Sequence, residues 1–229
     1  MNTTAQDLLT QRTKAAESSK GISSNAIYSA IERVIAGRNL QGKVLDYGAG
    51  VGDFSRRLVA LNRFAEVYGA DIMERPEGLG PVSWIKQDLN GPIQGYDETF
   101  DAIVAAEVIE HLENPRFTVR EICRLLRPGG TAIVTTPNNE SWRSIVALLV
   151  RGHYAGFGEL SYPAHITALL RKDLSRIFVE TKLAAPEFCY TNHGGIPGKP
   201  SITWQGISFG RLRGLRFSDN LLAVAIKPA

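Results

Sequence analysis

Three glycines at alternate positions follow an apolar run that ends in an acid. Gly48, Gly50 and Gly52 come directly after a strand-like segment containing Asp46. Glycine adopts positive φ and lets the backbone approach a ligand closely. A helix that begins near Gly52 would add free N–H groups and a partial positive charge. Asp46 could accept hydrogen bonds from an ammonium group or from hydroxyls, so residues 43–54 predict a nucleotide-type pocket with an acid inside it.

The glycine spacing differs from the fingerprint of dinucleotide-binding proteins. That fingerprint, G-x-G-x-x-G, would place its third glycine at position 53 when it is read from Gly48. Asp53 occupies that position. The spacing therefore argues against an NAD-dependent oxidoreductase, which remains an alternative at this point.

Three further acids stand where predicted strands end. Asp71 follows Asp46 by 25 residues, close to the separation at which a second-strand acid meets a ribose. A strand-end capping role is the alternative for Asp71. Asp88 could accept from an adenine amino group while Leu89 packs on the ring, and Glu107 follows a run typical of a strand buried on both faces.

Alternating helical and strand patterns predict an α/β fold in which these acids meet. Strands predicted in a parallel sheet present their carboxyl ends, and hence the ligand site, at one edge. We expect a Rossmann-like, seven-stranded, mainly parallel sheet with an antiparallel last strand and helices on both faces. Helices are predicted at 23–36, 53–62, 113–127, 141–150 and 171–180, and strands at 43–47, 66–72, 82–86, 100–106, 131–136, 183–190 and 219–227.

Five elements in this order and spacing resemble the motifs of class I S-adenosylmethionine (SAM) dependent methyltransferases. They cover roughly residues 40–140 and comprise D-x-G-x-G-x-G at 46–52, Asp71, Asp88-Leu89, FDAIVAAEVIEHL and RLLRPGG. The resemblance implies that the glycine turn holds the methionine end of SAM. It also implies contacts to the remainder of the cofactor from Asp46, Asp71, Ile72, Asp88, Leu89, Ala106 and Glu107.

A narrower resemblance concerns a possible cation. Glu107, Glu110 and His111, followed by T-T-P-N at 135–138 and by His165, resemble the ubiquinone-type O-methyltransferases. The pattern is also similar to small-RNA 3′-terminal 2′-O-methyltransferases. In those families such residues bind a divalent cation such as magnesium beside the substrate hydroxyl, where it would lower the hydroxyl pKa. The alternative is a site without metal, in which His111 acts as a general base or closes the cofactor pocket.

Positions 107, 110 and 111 would be neighbours on a helix. The resemblance makes Glu107, Glu110 and His111 the candidate catalytic residues.

The expected domain organisation is an N-terminal helical cap at 1–40 and a methyltransferase domain at 41–229. A substrate-binding insertion is expected at about 139–170, and residues 191–214 are predicted to be loop. The aromatic side chains Trp142, Tyr154 and Phe157 favour an aromatic or lipidic acceptor, with peripheral membrane contact as a further expectation. A core helix followed by an ordinary loop is the alternative.

Composition restricts the possible partners and compartment. The 229-residue chain has a net charge of +3, far from the dense basic stripe of a nucleic-acid binder. Its two cysteines form no disulfide framework, and the sequence contains neither a signal-peptide core nor a transmembrane run. These features predict a cytoplasmic protein, while the sequence leaves its oligomeric state open.

The motifs together predict a SAM-dependent methyltransferase acting on a small molecule, most readily on a hydroxyl oxygen. Three alternatives stay open: an RNA 2′-O-methyltransferase, an NAD-dependent oxidoreductase and a non-catalytic nucleotide-binding module.

Overall fold

A computed structural model describes residues 7, 10, 12–14, 16 and 21–229. Within them, seven strands form one sheet in the order β3-β2-β1-β4-β5-β9-β6. Strands β1 to β5 are parallel, and β9 is antiparallel to both of its neighbours. The expected fold class and the antiparallel last strand are therefore confirmed.

The elements lie close to their predicted positions. The strands are β1 (Gly42–Tyr47), β2 (Phe64–Asp71), β3 (Val82–Lys86), β4 (Phe100–Ala106), β5 (Leu126–Pro137), β6 (Glu187–Tyr190), β7 (Gly195–Ile196), β8 (Lys199–Thr203) and β9 (Asn220–Ile226). The helices are α1 (Asn25–Gly37), α2 (Asp53–Ala60), α3 (Pro115–Leu125), α4 (Trp142–Arg151), α5 (Arg171–Glu180) and α6 (Trp204–Ile207).

Helices cover both faces of the sheet because successive strand residues point to opposite sides. Leu45 of β1 belongs to an apolar cluster that includes residues of α3 and α5. Its neighbour Val44 belongs to a second cluster with residues of α1 and α2. Adjacent residues of a strand that is covered on both sides are therefore both apolar, as Val44 and Leu45 are.

The segment 191–214, predicted as loop, instead contains the hairpin β7–β8 and the short helix α6. Ile196 pairs with Lys199 across a two-residue connection, and Gly198 has φ +81°. Proline followed by a glycine of positive φ is the signature of a type II turn. The prediction was wrong because strands this short carry no readable periodicity.

Strand β5 begins earlier than predicted, at Leu126 rather than Thr131. Leu126 pairs with Phe100 of β4, and Gly129 N–H donates to Lys227 O at 2.9 Å. The Arg-Pro-Gly-Gly sequence therefore closely follows the end of α3 and lies within the paired amino end of β5.

None of the helices formed by the described residues combines the length and the apolar character that crossing a bilayer would require.

Gly48 offers a test of the turn that follows β1. Its φ is +85°, and an added Cβ would lie 2.4 Å from Val108 Cγ2. We expect Gly48→Ala to lower the free energy of unfolding by about 2–4 kcal/mol, because strain of the left-handed backbone adds to overpacking. Urea denaturation measures the loss.

Gly95→Ala is the matched control, since Gly95 has φ +79° and no atom within 4 Å of an added Cβ. It should cost only about 1 kcal/mol. Equal losses in the two variants would contradict the packing argument.

Candidate functional site

The glycine turn is bonded to the acid that ends β2. Gly48, Gly50 and Gly52 have φ of +85°, +54° and +81°, as their spacing predicted. Gly50 N–H donates to Asp71 Oδ2 at 2.8 Å, and Met73 N–H donates to Asp71 Oδ1 at 3.0 Å. Because a carboxylate oxygen has two lone pairs, each oxygen of Asp71 can still accept from a ligand hydroxyl.

Asp46 lies beneath this turn and is fully buried. Ser55 Oγ donates to Asp46 Oδ2 at 2.6 Å. Burial raises the pKa of Asp46 to about 7, and the nearby charge of Asp71 acts in the same direction. Burial also raises the pKa of Asp71. A bound cationic group would favour the ionised form of both acids.

Asp88, after β3, is held by a guanidinium from the N-terminal segment. Arg12 Nη1 lies 2.5 Å from Asp88 Oδ2, while Arg12 Nη2 lies 2.7 Å from Glu113 Oε1. Asp88 Oδ1 accepts from the backbone N–H of Asn90 at 3.0 Å. The next residue, Leu89, is buried and accepts from Tyr47 at its carbonyl oxygen.

Residues just before α1 lie across the glycine turn. A Cβ added to Gly21 would stand 2.6 Å from Gly50 Cα, and Ser23 Oγ lies 3.5 Å from Ala106 O. Residues 12–14 are helical, whereas much of the predicted cap lies outside the described residues. The described part of the N-terminal segment therefore covers the edge of the sheet that carries the acids.

The segment 107–114 forms turns rather than the helix on which the neighbour argument depended. Glu107 itself has a left-handed backbone, with φ +57°. Thr135 Oγ1 donates to Glu107 Oε1 at 2.7 Å, and Asn220 Nδ2 donates to Oε2 at 2.7 Å. Burial raises the pKa of Glu107 to about 7.

Three of the four predicted cation ligands converge, and Glu107 is not among them. One ligand atom from each of Glu110, His111 and His165 lies within 4.8 Å of the others. The predicted set is corrected in this respect, since Thr135 and Asn220 hold the Glu107 carboxylate through hydrogen bonds.

Hydrogen bonds to backbone carbonyl groups leave Nε2 of both histidines free. His111 Nδ1 lies 2.9 Å from Ala164 O, and His165 Nδ1 lies 2.7 Å from Gly156 O. A carbonyl oxygen can only accept, so each Nδ1 carries the proton and each Nε2 has a free lone pair. Burial and then His165 lower the pKa of His111 to about 4, and burial lowers that of His165.

Glu110 is fully buried, and among the described residues neither of its carboxylate oxygens has a hydrogen bond of ordinary geometry, although the equally unpartnered Thr136 hydroxyl is its neighbour. Burial, followed by the neighbouring Glu107, raises the pKa of Glu110 well above its ordinary value. An unpartnered buried carboxyl group is costly. A cation would supply the missing partner, so the donor set fits one.

Backbone hydrogen bonds bring His165 to the other two residues. Ile166 N–H and Thr167 N–H both donate to Glu110 O, at 2.9 and 3.0 Å. The insertion after α4 is therefore fixed on the turn that carries Glu110. The sequence could suggest His165 only by resemblance, because 54 residues separate it from His111.

A cavity of about 540 Å³ opens beside Glu107 and His165. Its wall is made of polar and small residues: Ser24, Asn25, Ala26, Glu107, Pro137, Asn138, Ser141, Arg143, Ser144, Ala155, Gly156, His165, His193, Asp219 and Asn220. The predicted acceptor side chains Trp142, Tyr154 and Phe157 are absent from this described wall. Phe157 instead packs edge-on against His165, with 5.5 Å between ring centres.

Sequence reasoning missed the contribution of the last strand to this cavity. Asp219 and Asn220 stand where β9 begins, and β9 pairs with β5. Arg143, in the first turn of α4, was also missed. The pairing of β9 with β5 brings Asp219 and Asn220 to the site, Arg143 reaches it from the helix that follows β5, and no local motif marks any of the three.

Residues 21–184 match a family model described as a methyltransferase domain. The chain belongs to this methyltransferase family. The resemblance inferred from the glycine turn and the strand-end acids is thereby confirmed.

Curated relatives of the family include ubiquinone biosynthesis O-methyltransferases. The protein of Proteus mirabilis is 29% identical over 115 residues, covering 45% of this chain and 46% of its own length. That of Dechloromonas aromatica is 30% identical over 121 residues, covering 48% and 51%. The chain thus spans about half the length of the curated relatives it matches.

Solved structures share the fold at low sequence identity. A chain in the complex of the Haloferax volcanii Trm112 methyltransferase activator with a methyltransferase superposes with a TM-score of 0.66 at 17% identity, covering 95% of this chain and 97% of that one. The 1,6-didemethyltoxoflavin-N1-methyltransferase of Burkholderia thailandensis, solved with bound S-adenosylhomocysteine, superposes at 0.62 and 15% identity, covering 97% and 88%.

The buried Asp46 predicts a specific pH dependence of stability. Because its pKa in the folded protein is about 7, the folded state holds a proton that the unfolded state releases above pH ~4. Asp46 therefore lowers the free energy of unfolding progressively as the pH rises from about 4 to 7, and not further above 7. In Asp46→Asn the free energy of unfolding should fall by a few kcal/mol less over this pH range than in the wild type.

Urea denaturation of both proteins at intervals from pH 4.5 to pH 8 measures the difference. Glu159→Gln, at an exposed position, serves as the control and should follow the wild type. Parallel curves for wild type and Asp46→Asn would contradict the raised pKa.

Proposed function

We propose that the chain binds SAM at the carboxyl edge of its sheet and transfers the methyl group to a hydroxyl oxygen of a small acceptor. The observation that carries the proposal is the hydrogen bond from the Gly50 turn to Asp71 in a chain of the methyltransferase family. When bound, SAM supplies a methyl group on a sulfonium, an electrophile that needs little further activation.

Each acid along the sheet edge contacts a different part of the cofactor. Asp46 and the Gly48–Gly52 turn hold the methionine end. Asp71 accepts from the ribose hydroxyls, with Ile72 beside it, and Asp88 and Leu89 bind adenine. Ala106 and Glu107 form the floor.

Arg12 couples the N-terminal segment to this cofactor site. Its contact with Asp88 occupies the oxygen that would otherwise be free for the adenine amino group. The Arg12 side chain must therefore shift or share this oxygen when the cofactor binds.

Glu107 is the acceptor-facing base. Glu107 lines the cavity, and although both of its carboxylate oxygens accept a hydrogen bond, each keeps a lone pair that could take the proton of the acceptor hydroxyl during methyl transfer. His111 is poorly suited to this role, because burial and then the neighbouring His165 lower its pKa to about 4. Positioning of oxygen and methyl group supplies much of the remaining rate enhancement.

A divalent cation held by Glu110, His111 and His165 would orient the acceptor oxygen and lower its pKa. Two imidazoles with one carboxylate favour a transition metal such as Mn²⁺ or Zn²⁺ over Mg²⁺, which prefers oxygen ligands. The names of the curated relatives, which are O-methyltransferases, support oxygen as the methyl acceptor.

Asp71→Asn tests the cofactor site. The amide keeps one acceptor oxygen, for either the Gly50 or the Met73 N–H group, but it loses the charge and the second acceptor oxygen. We expect the dissociation constant of S-adenosylhomocysteine to rise about 10–100-fold, the equivalent of one charged hydrogen bond to a ribose hydroxyl. Isothermal titration calorimetry measures it.

Asp97→Asn is the control, since Asp97 is exposed and pairs with Arg124 at 2.7 Å. It should leave the affinity unchanged. Wild-type affinity in Asp71→Asn would refute the ribose role.

Removal of single histidines tests the cation site. We expect the wild-type protein to bind one Mn²⁺ per chain and the His111→Ala and His165→Ala variants to bind it at least tenfold more weakly, because each loses a ligand. Electron paramagnetic resonance of free Mn²⁺ measures the binding, with Mg²⁺ as a competitor of lower affinity.

His153→Ala is the matched control, because His153 lies outside the cluster and its Nδ1 contacts Tyr154 O. Equal Mn²⁺ binding by all four proteins, or methyl transfer that survives exhaustive chelation unchanged, would refute the cation.

A further inference from the structure

The cavity beside Glu107 is unsuited to an aromatic or lipidic acceptor. No aromatic, leucine, isoleucine or valine side chain lines it among the described residues. Ser141, Ser144, Asn138 and Asn220 are among its lining residues, and the two serine hydroxyls, which accept from backbone N–H groups, can still donate. Its volume of about 540 Å³ lies within the range of small-molecule sites. Such a wall binds a ligand through hydrogen bonds to hydroxyls rather than through apolar contact.

The Arg143 guanidinium gives this wall a positive charge, and the neighbouring Asp219 fixes its orientation. Its Nη1 donates to Asp219 Oδ2 at 2.7 Å. Asp219 Oδ2 also accepts from Gly195 N–H at 3.0 Å, so the acid is itself held in place by β7. About a third of the Arg143 side chain is exposed.

The other edge of the guanidinium is available to a ligand. Only Nη1 of Arg143 donates to a described residue, which leaves the parallel N–H groups of Nε and Nη2. That pair matches the two oxygens of a carboxylate. The Asp219 and Glu107 carboxylates in the same wall disfavour a phosphate dianion more than a singly charged carboxylate.

We propose that the methyl acceptor is a small polyhydroxylated carboxylic acid and that Arg143 binds its carboxylate. This inference rests on the proposed function, since it names the substrate class of the same cavity. The carboxylate at Arg143 directs one of the acceptor hydroxyls toward Glu107 and the His165 side of the cavity. Arg143 therefore acts in acceptor binding, whereas Glu107 takes the proton.

Equilibrium binding of matched probes tests the proposal independently of turnover. Protein saturated with S-adenosylhomocysteine and Mn²⁺ is titrated with glucuronate, glucuronamide and catechol. We expect glucuronate to bind at least tenfold more tightly than glucuronamide, which keeps the hydroxyls and lacks the charge. Gluconate and gluconamide form a second, open-chain pair.

Variants then assign the preference to Arg143. In Arg143→Met the ratio of the dissociation constants of amide and acid should fall to about one. Arg143→Lys should restore part of the preference for the acid. Arg151→Met, at the exposed end of the same helix, should behave as wild type. With a probe that is methylated, the loss should fall on KM while kcat changes little, since Arg143 only binds the carboxylate.

Three results would overturn the proposal: equal binding of acid and amide, tighter binding of catechol than of either acid, or failure of both acids to bind. None of these results would contradict the proposed function. That function is contradicted separately if S-adenosylhomocysteine does not bind the wild-type protein. Thermal unfolding of each variant shows whether the lost preference reflects a lost fold.

Discussion

Burial of carboxyl groups at one edge of a parallel sheet is the constraint on which the rest of the structure depends. The sheet places Asp46, Asp71 and Glu107 at its carboxyl edge, and burial raises the pKa of each. Ionisation at these positions is costly unless donors or cations face them. The glycine turn supplies such donors from its backbone, which is why its residues must adopt positive φ so close to the strand.

The same requirement explains how the chain after β5 is arranged. The insertion returns to the sheet edge through the two N–H groups bound to Glu110 O and places His165 beside His111. Entry into β9 delivers Asn220 to the Glu107 carboxylate and Asp219 to Arg143. Elements that are distant in the sequence thus place hydrogen-bond donors and imidazole groups beside the acids that the first half of the chain brings together.

The sequence predicted the first half of the molecule well because its signals are local. Apolar runs, the glycine turn around Gly50 and the acids at strand ends each occupy a few consecutive residues, and parallel topology brings them to one edge. A strand begins earlier than predicted where pairing with its neighbour extends it, as β5 does at Leu126. The Ile196–Lys199 hairpin was missed because its strands are too short to show a period.

The acceptor side of the site could not be predicted in the same way. Glu107 was expected among the cation ligands by resemblance, but it lies outside the group of Glu110, His111 and His165, since its backbone is left-handed and Thr135 and Asn220 hold its carboxylate. Arg143 and Asp219 meet only through the order of strands β5, β9 and β6. Their proximity depends on tertiary structure, and neither residue belongs to a recognisable motif.

The carboxyl edge of this sheet is expected to bind SAM rather than a dinucleotide. Calorimetric titration of the wild-type protein with S-adenosylhomocysteine and, separately, with NAD⁺ tests it most directly. We expect one S-adenosylhomocysteine bound per chain with micromolar affinity and no detectable NAD⁺ binding, in keeping with Asp53 in place of the third glycine. Binding of NAD⁺ alone, or of neither ligand, would contradict it.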